Sequence, residues 1–576
     1  MSPAPNWKLP NRNVEAQHDL VTELGLNPLI SQILINRNIL TPEDAKKFLF
    51  PSLRDLHNPF LLEDMTAGVE RVITAIQTGE NIVVFGDYDV DGITSTVILV
   101  KFLQDICDHV SYYIPNRLTE GYSLNKEAIA KLKQRETQLI ITVDCGTSNH
   151  EEIQYAQTLG IDTIVLDHHE VPDALPECVA LINPHRKDSA FPFKYLAGVG
   201  VTFNFLIALR GSLRNQGFWK NRTYPNLKIY LDLVALGTIG DLVPLLDENR
   251  TFAKIGLGII SNGDRIGLRA LRFISGLEYS NIDSESAAFK LIPRINAAGR
   301  VGSPDEAVRL LLTDDFNEAL VIAEKLDSYN RERQELERVI FSEILQRIDS
   351  TADVNKFNSF VFSSPQWHPG VIGIVASRIV ERYYRPTILI SLKDGIGRGS
   401  GRSIAEFNLY EGLDRNCSPL LISYGGHRFA AGISIREENI NDFSEIFDEV
   451  VNNNIGDKKP VPQTFIDARC TLKDIDYNLL SQIEMLSPFG NMNSEPVLCA
   501  ENLKVRSHTV VGNNHLRLFI AGNGVDYDSI WFNKANLFNS LDKSMVNLAF
   551  TPQFNHWKGG NSIQLKIKDL SIPEAH

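Results

Sequence analysis

Three aspartates alternate directly after an aliphatic run in the first fifth of the chain. Residues 81–92 read Asn-Ile-Val-Val-Phe-Gly-Asp-Tyr-Asp-Val-Asp-Gly, so Asp87, Asp89 and Asp91 follow a segment with the character of a buried strand. Carboxylates this close repel one another unless a cation neutralises them. The motif therefore indicates bound hard metal ions.

Similar acidic motifs occur in calcium-binding EF-hands and in solvated turns. Asp-x-Asp-x-Asp-Gly opens the calcium loop of an EF-hand, which needs a Glu at its twelfth position and a helix before it. Counting from Asp87, the twelfth residue is Ile98, and the preceding run is strand-like, which disfavours the EF-hand. A solvated acidic turn stays open for the motif taken alone.

Later hydrophobic runs are also followed by acidic or imidazole side chains. These runs and the residues after them are 139–143 with Asp144, 164–166 with Asp167, His168 and His169, and 231–239 with Asp241. In an open parallel sheet, ligands bind outside the carboxyl ends of the strands. We therefore expect one shared site, whose oxygen and imidazole donors suit manganese or magnesium better than zinc or copper.

In this order, Asp-x-Asp, Val-Asp-Cys-Gly, Asp-His-His and Gly-Asp-Leu-Val-Pro resemble the motifs of the DHH phosphoesterase superfamily. Four later segments extend the resemblance to the branch whose members degrade single-stranded DNA. These segments are 294–300, 367–373, 399–403 and 425–427. The ordered set carries the resemblance, and it extends from the first motif to near the C-terminus.

The resemblance implies a site for two divalent metals, Mn²⁺ or Mg²⁺, with Asp144 as the bridging carboxylate. Asp87 either binds a metal or holds the loop, and Phe85 stands where the pyrophosphatase-like branch has a histidine. The first metal would then have fewer protein ligands, or water or Asp87 would complete its shell. The residues that match the family's ligands are Asp89, Asp91, Asp144, His168 and Asp241.

The resemblance also implies roles in handling the phosphate. His169 would face the scissile phosphate as a hydrogen-bond donor or proton carrier; the alternative is a packed histidine that only orients a neighbour. Arginine suits bidentate phosphate binding, although a surface ion pair would account for any one of these residues alone. Residues 395–403 are dense in glycine and are predicted to form an anion-binding loop. The positions implied to bind substrate, including a 5′-terminal phosphate, are Arg117, Asn296, Arg300, Ser400, Arg402, Gly425, Gly426 and His427.

The implied activity is a metal-dependent 5′→3′ exonuclease that degrades single-stranded DNA to 5′-mononucleotides in DNA repair and recombination. A helicase and a single-strand-binding protein are the partners that it implies. One alternative is a phosphodiesterase of short oligonucleotides or cyclic dinucleotides, but such enzymes typically lack a long helix and a C-terminal barrel. Another is a noncatalytic scaffold, which can lose metal ligands, whereas the set here is complete.

Composition is that of a cytoplasmic enzyme with several domains. The 576 residues include six cysteines with no CxxC pair, which argues against a zinc ribbon or a disulfide framework. We expect no signal peptide, because the first residues show no basic region followed by an apolar core, and no membrane span, because no apolar stretch reaches about 18 residues. The net charge of −14 fits a nucleic-acid enzyme poorly, and it argues against tight binding of duplex DNA over a broad surface.

The predicted fold is α/β, with a doubly wound parallel sheet in the first large domain. Residues 305–364 contain neither Gly nor Pro and predict a helix of about 30 residues. Its apolar positions hold no strict heptad, so we expect a connector between domains and a monomer, not a coiled-coil arm. The predicted divisions are an N-terminal segment 1–64, a DHH domain 65–313, the connecting helix 314–354, a smaller α/β domain of DHHA1 type 355–457, and an OB-like barrel 458–576.

The tail predicts short strands at 516–520, 546–551 and 563–567, the last two flanking a turn at 557–561. Barrels of the OB type bind single strands by stacking bases on aromatic side chains. The candidates are Phe519, Trp531, Phe550 and Trp557, each of which could instead belong to the core. Segment 488–496, Pro-Phe-Gly-Asn-Met-Asn-Ser-Glu-Pro, departs from the family pattern by placing Met492 at a glycine position.

Overall fold

The computed structural model describes residues 7–10, 13–117, 120–121, 123–350, 356–456, 460–512, 514–540, 545–555 and 562–572. Its residues form two compact units. The first comprises 1–296, 304–323 and 463–576, and the second comprises 297–303 and 324–462. No helix among the described residues is long and apolar enough to cross a membrane.

The core of the first unit is a five-stranded parallel sheet in the order β3-β2-β4-β5-β6. Its central strands are buried along their whole length, as expected for a sheet covered on both faces. From β2 the chain passes to β3 on one side and then to β4 on the other, so the strand order reverses beside β2. The strands are β2 (Ile82–Gly86), β3 (Val110–Tyr113), β4 (Leu139–Val143), β5 (Asp162–Leu166) and β6 (Ala180–Ile182). The doubly wound parallel sheet predicted from the sequence is confirmed.

Helices cover both faces of this sheet. Val83, Phe85 and Ile140 share a buried cluster with side chains of α6 and α7, while α4, α5 and α8 contact the sheet elsewhere. These helices are α4 (Met65–Thr78), α5 (Val90–Gln104), α6 (Lys126–Gln134), α7 (His150–Thr158) and α8 (Gly198–Asn215). The helices that follow are α9 (Leu231–Gly240), α10 (Asp247–Asn262), α11 (Ile266–Ile274), α12 (Ser284–Ser286), α13 (Ile292–Val301) and α14 (Pro304–Leu312).

The long helix predicted from the Gly- and Pro-free stretch is present as α15 (Phe316–Asp349), with 34 residues. At 1.5 Å per residue it is about 51 Å long. It begins in the first unit and ends in the second. The two family-like α/β domains are therefore joined by one continuous helix.

The second unit contains a mixed five-stranded sheet in the order β10-β11-β9-β8-β7, in which β7 and β8 are parallel. Its strands are β7 (Phe360–Ser364), β8 (Thr387–Lys393), β9 (Ile396–Arg402), β10 (Leu421–Gly426) and β11 (Ala430–Arg436). Its helices are α16 (Ile372–Tyr383), α17 (Leu409–Gly412) and α18 (Ile440–Ile455).

The glycine-dense segment 395–403 is a strand, so the prediction of a loop was wrong. It forms β9, which pairs with β8 on one side and β11 on the other. A Cβ on Gly397 would lie 2.5 Å from the Ile390 side chain, and one on Gly399 would lie 2.5 Å from Ile433. These glycines therefore allow neighbouring side chains to lie across the strand, instead of allowing the backbone to turn.

The C-terminal part of the first unit contains a closed five-stranded barrel. Strand β14 pairs with β15, β15 with β16, β16 with β18, β18 with β17, and β17 with β14. The elements are β12 (Thr464–Phe465), β13 (Ala468–Arg469), α19 (Tyr477–Met485), β14 (Leu498–Val511), β15 (His515–Gly522), β16 (Val525–Trp531), β17 (Met545–Asn555) and β18 (Ser562–Ser571). The OB-like barrel is confirmed.

Two of the proposed base-stacking aromatics belong to the barrel core. Trp531 is 5% exposed and Phe550 is fully buried, so neither can meet a base. Phe519 is 41% exposed and stays a candidate. Trp557 and the turn at 557–561 lie outside the described residues.

The N-terminal segment packs on the barrel, which the sequence did not predict. Side chains such as Leu20, Ile30 and Ile33 share one buried cluster with Leu479 and Ile483 of α19. Strand β1 (Trp7–Lys8) also pairs with β12. The remaining elements are α1 (Val14–Leu24), α2 (Pro28–Asn36) and α3 (Pro42–Leu49).

Candidate active site

The acidic loop lies where the strand order reverses. Asp87 follows β2, and Asp144 follows the adjacent strand β4. Asp89 caps α5, its Oδ1 accepting the N–H groups of Asp91 at 2.9 Å and Gly92 at 3.2 Å. This is the crevice in which open α/β sheets bind their ligands.

Asp91 is fixed by the start of a distant helix. The N–H groups of Gly198 and Val199, in the first turn of α8, donate to its two carboxylate oxygens at 2.7 and 2.8 Å. The first turn of a helix favours a negative charge. Burial and the nearby charge of Asp89 raise the pKa of Asp91 to about 7, although these amides oppose the shift.

Asp144 stands at the centre of the site, with a left-handed backbone (φ 59°) directly after β4. His168 Nε2 lies 3.1 Å from Asp144 Oδ1, 3.5 Å from Asp241 Oδ2 and 3.8 Å from Asp91 Oδ2. Asp241 reaches the group from the C-terminal end of α9, so its carboxylate comes from a helix, whereas Asp87 and Asp144 follow strands.

Ligand atoms of the predicted residues gather in three overlapping groups, each with its atoms within 4.8 Å of one another. Asp144 belongs to two of these groups, the position that a bridging ligand would occupy. The groups are Asp87 with Asp89 and Asp144, Asp91 with His168 and Asp241, and Asp144 with His168 and His169. The ligand roles themselves stay predictions.

The chemistry of this donor set fits divalent cations. Asp87 is buried, and its Oδ1 has no hydrogen-bond partner among the described residues. Burial raises the pKa values of Asp87, Asp144 and Asp241 well above the usual range, and neighbouring aspartates raise them further. Bound cations would remove this repulsion and give the orphaned oxygen a partner. Hard oxygen donors with imidazole suit Mn²⁺ or Mg²⁺.

Asp167 holds the turn that carries both histidines, a role that was not predicted from the sequence. Its Oδ1 accepts the His169 ring Nδ1–H at 2.7 Å and the His168 N–H at 2.8 Å, and its Oδ2 accepts the Thr147 N–H at 3.0 Å. Burial would raise the pKa of Asp167, but the charge of His169 and these hydrogen bonds lower it strongly.

The hydrogen bond between Asp167 and His169 also changes the pKa of His169. Burial lowers the pKa of His169, but the charge and hydrogen bond of Asp167 outweigh it and raise the pKa to about 9. Bound divalent cations would act in the opposite direction, because they repel a protonated ring. The carboxylate thus favours one ring orientation, in which Nε2 lies on the side of the ring away from Asp167.

Two predicted substrate residues lie beside the acidic loop. The guanidinium of Arg117 stacks over the Tyr88 ring, with 5.3 Å from Cζ to the ring centroid. Asn296 Oδ1 accepts the N–H of Val90 at 2.7 Å, so this side chain holds the first turn of α5. Arg117 keeps a cation near the carboxylates, while Asn296 supports the loop from behind.

Three other predicted residues converge in the second unit at the start of α16. Arg300 donates from Nη1 to the Gly370 carbonyl at 3.1 Å, and Arg402 donates from Nη1 to Ser400 Oγ at 3.2 Å. A Cβ on Gly373 would lie 2.7 Å from Ser400 Oγ and 3.2 Å from Arg402 Nη2. No side chain of the described residues caps α16, so its first amides, together with the two arginines, offer donors to an anion.

Gly425, Gly426 and His427 lie where β10 turns into β11. Gly426 has a φ of 142°, and the His427 N–H donates to Ala430 O at 2.7 Å. Ala430 pairs with Arg402 across β9 and β11, and the Ser403 N–H donates to Phe429 O at 3.0 Å, so the tip of this exposed hairpin lies beside the end of β9 that carries Arg402.

Models of three protein families match this chain. The DHH family, N-terminal domain, matches residues 81–238; the DHHA1 domain matches residues 353–453; and the RecJ OB domain matches residues 466–569. The first matched segment contains Asp87, Asp89, Asp91, Asp144, His168 and His169 but ends before Asp241. The second contains Ser400 and Arg402 but not Arg300, and the third contains most of the barrel.

Curated relatives match this chain over nearly its whole length. The chain is 36% identical to the single-stranded-DNA-specific exonuclease RecJ of Bacillus subtilis, over 99% of this chain and 71% of that protein. It is 35% identical to RecJ of Salmonella typhimurium, over 97% of this chain and 98% of that protein. The crystal structure of Thermus thermophilus RecJ in complex with Mn²⁺ superposes with a TM-score of 0.84 at 30% identity, covering 100% of this chain and 81% of that one.

Proposed function

Since this chain belongs to the RecJ family of single-stranded-DNA-specific exonucleases, we propose that it is a metal-dependent exonuclease of single-stranded DNA. The observation that carries the proposal is the complete set of carboxylate and imidazole donors, whose ligand atoms lie within 4.8 Å of one another in each group. One member, Asp87, has a buried oxygen with no hydrogen-bond partner among the described residues. A scaffold that had lost its catalysis would have no need of such a set.

Two divalent cations, when bound here, would supply an activated water and neutralise charge on the phosphate under attack. The carboxylates of Asp89, Asp91, Asp144 and Asp241 and the imidazole of His168 would hold them. His169 Nε2, oriented through Nδ1 by Asp167, would donate a hydrogen bond to a phosphate oxygen or carry a proton to the leaving oxygen.

We further propose that the strand is degraded from its 5′ end to 5′-mononucleotides. An exonuclease needs a group that recognises the strand end, and a terminal phosphate carries more charge than an internal one. The α16 amides with Ser400, Arg300 and Arg402 supply donors suited to that charge. The cluster therefore supports recognition of a 5′-phosphate, to which the arginines would make charge-assisted hydrogen bonds.

The test uses single-stranded DNA labelled at either the 5′ or the 3′ end, with duplex DNA, RNA, short oligonucleotides and cyclic dinucleotides as comparison substrates. We expect the 5′ label to leave first as a mononucleotide, only with Mn²⁺ or Mg²⁺ present, and duplex DNA to resist. Release from the 3′ end would overturn the polarity. A preference for cyclic dinucleotides would replace the exonuclease with a phosphodiesterase of small substrates.

The proposed setting is DNA repair and recombination in the cytoplasm, with the chain acting as a monomer. A helicase that exposes single strands and a protein that coats them are the proposed partners. Stimulation of digestion on duplex DNA by an added helicase would support this setting. Sedimentation of the protein as a dimer would contradict the monomer.

A further inference from the structure

Two sequence motifs that lie about 250 positions apart meet within the first unit. Segment 240–244, which carries the metal-ligand candidate Asp241, is contacted by segment 488–496 of the C-terminal region. Asn491 makes both hydrogen bonds: its Nδ2 donates to Leu242 O at 2.7 Å, and its own carbonyl accepts the Leu245 N–H at 2.9 Å. One residue thus holds the loop after Asp241 at two points.

The loop needs such support. Leu242 has a left-handed backbone, with φ 59°, and its side chain is 69% exposed. A leucine rarely adopts this conformation, and such strain persists only where surrounding contacts hold it. Burial does not hold Leu242, and its own N–H makes only a long bond of 3.3 Å to Ile239 O. Among the described residues, the loop is held by the two contacts with Asn491 and by the bond from Asn249 Nδ2 to Pro244 O at 3.1 Å, and of these only the Asn491 side chain bonds Leu242 itself.

The segment that carries Asn491 is itself firmly held. Asn493 is fully buried and donates from Nδ2 to Leu486 O at 2.9 Å and Pro488 O at 2.7 Å. Gly490 and Asn493 exchange backbone hydrogen bonds, and a Cβ on Gly490 would lie 2.6 Å from the Leu245 side chain. The segment can therefore act as a fixed support for the loop.

We propose that Asn491 is a positioning residue for the metal ligand Asp241, so that the C-terminal region completes the metal centre. The inference rests on the metal site of the proposed function. Asp241 Oδ2 lies 3.5 Å from His168 Nε2 and belongs to the group with Asp91. Without Asn491, Leu242 relaxes from its left-handed conformation, and the carboxylate one residue before it changes direction.

The test measures Mn²⁺ binding to the full chain by electron paramagnetic resonance, without DNA, for the wild type, Asn491→Ala and Asn491→Gln. Asn547→Ala is the matched control, because among the described residues the Asn547 side chain bonds within the barrel alone, to the Asn502 N–H and Ser571 Oγ. We expect about 10-fold weaker binding of one Mn²⁺ in Asn491→Ala, within the range for residues that orient a ligand. Asn491→Gln, which keeps the amide, should lose less, and the control should match the wild type.

Unchanged Mn²⁺ affinity in a folded Asn491→Ala protein overturns the positioning role, and so does an equal loss in Asn547→Ala. If Asn491→Ala does not fold, Asn491→Gln is the deciding variant. A lowered melting temperature together with the Mn²⁺ affinity of the wild type would show that Asn491 stabilises the fold but does not position Asp241. If the wild type digests DNA but the substitutions leave its Mn²⁺ affinity unchanged, this inference is wrong and the proposed function stands. Mn²⁺ binding that weakens as expected, without any nuclease activity in the wild type, removes the proposed function alone.

Discussion

Asp167 Oδ1 lies 2.7 Å from His169 Nδ1, and the same oxygen accepts the backbone N–H of His168. One buried carboxylate therefore sets both the ring orientation of the proposed proton carrier and the backbone of a proposed metal ligand. In metal sites, such outer partners commonly fix the tautomer and direction of a histidine.

Asp167→Asn should lower kcat by about 100-fold, because the amide no longer stabilises a protonated His169 or fixes its ring. KM for single-stranded DNA should change little, since Asp167 is buried and cannot touch the strand. Steady-state kinetics on a labelled strand gives both values. Asp173→Asn is the control, as that side chain is fully exposed and, within the part of the chain that the structure describes, pairs with Lys187 alone. A kcat close to the wild-type value would show that Asp167 serves the fold alone.

Asp144→Asn should remove metal binding at the centre and reduce turnover by several orders of magnitude. Asparagine is the better choice than alanine here, because Asp144 has φ 59° and asparagine tolerates that conformation. The measurements are Mn²⁺ stoichiometry by calorimetry and release of mononucleotides. Chelation of the wild type should abolish activity, and added Mn²⁺ or Mg²⁺ should restore it. Near-normal turnover in the variant would contradict a two-metal site.

The stability of the protein relative to Lys254→Met should rise with pH between about 8 and 10.5. Burial, with the charge of Arg250 next, lowers the pKa of Lys254 from 10.5 to about 8, so in this window the folded state binds fewer protons than the unfolded one. The destabilisation caused by burying the charged Lys254 is therefore complete below pH 8 and is lost above pH 10.5. Leu49 O and Met485 O accept from the ammonium and favour its charged form, and the side chain is partly exposed, so we expect only about 1 kcal/mol.

Thermal melting of both proteins at pH 7.5 and 10 measures this effect. The difference in melting temperature, wild type minus variant, should be larger at pH 10. A difference that stays constant or shrinks would mean that the ammonium is stabilised in the folded protein. Lys228→Met, at an exposed lysine, controls for general effects of charge.

The grouping of the metal-ligand candidates could be predicted because their positions follow from local patterns. Strand-like runs that end in Asp87 and Asp144 indicate their own placement, since adjacent parallel strands bring their carboxyl ends together. The long helix was equally visible, because a stretch without Gly or Pro and with helical spacing has few other conformations. The observed α15 exceeds the predicted length by only a few residues.

The features that were not predicted from the sequence depend on tertiary contacts. The partners of Asp91 are amides 107 and 108 residues away, which no local pattern reveals. Strand β9 was predicted to be a loop because it is rich in glycine. The glycines are there because side chains of β8 and β11 occupy the space that a Cβ would need. Trp531 and Phe550 looked available for bases, but barrel closure turns them inward. For Asp167 a signal did exist, since a carboxylate directly precedes the two histidines.

Phe519→Ala should weaken binding of long single strands by about 1 to 3 kcal/mol, the range for loss of one base-stacking contact. Phe519 is 41% exposed on β15, whereas Trp531 and Phe550 are buried. Stacking acts equally on the ground state and the transition state, so KM should rise while kcat stays constant. Fluorescence anisotropy with a labelled strand measures the affinity. Val510→Ala, at an exposed apolar residue of the neighbouring strand β14, is the control. Equal affinity of Phe519→Ala and wild type would remove this residue from the DNA surface.

Arg402→Ala should reduce activity on 5′-phosphorylated DNA more than on 5′-hydroxyl DNA. Arg402 lies beside Ser400 and the first turn of α16. The donors there would bind a doubly charged terminal phosphate more strongly than a singly charged internal one. The difference between the two losses in kcat/KM should correspond to about 1 to 3 kcal/mol, the value of a hydrogen bond to a charged group. Arg436→Ala is the matched control, because Arg436 lies at the far end of β11, about 20 Å along the strand from the partner of Arg402. Equal losses on both substrates would take Arg402 out of end recognition, and a larger loss on the 5′-hydroxyl strand would reverse the assignment.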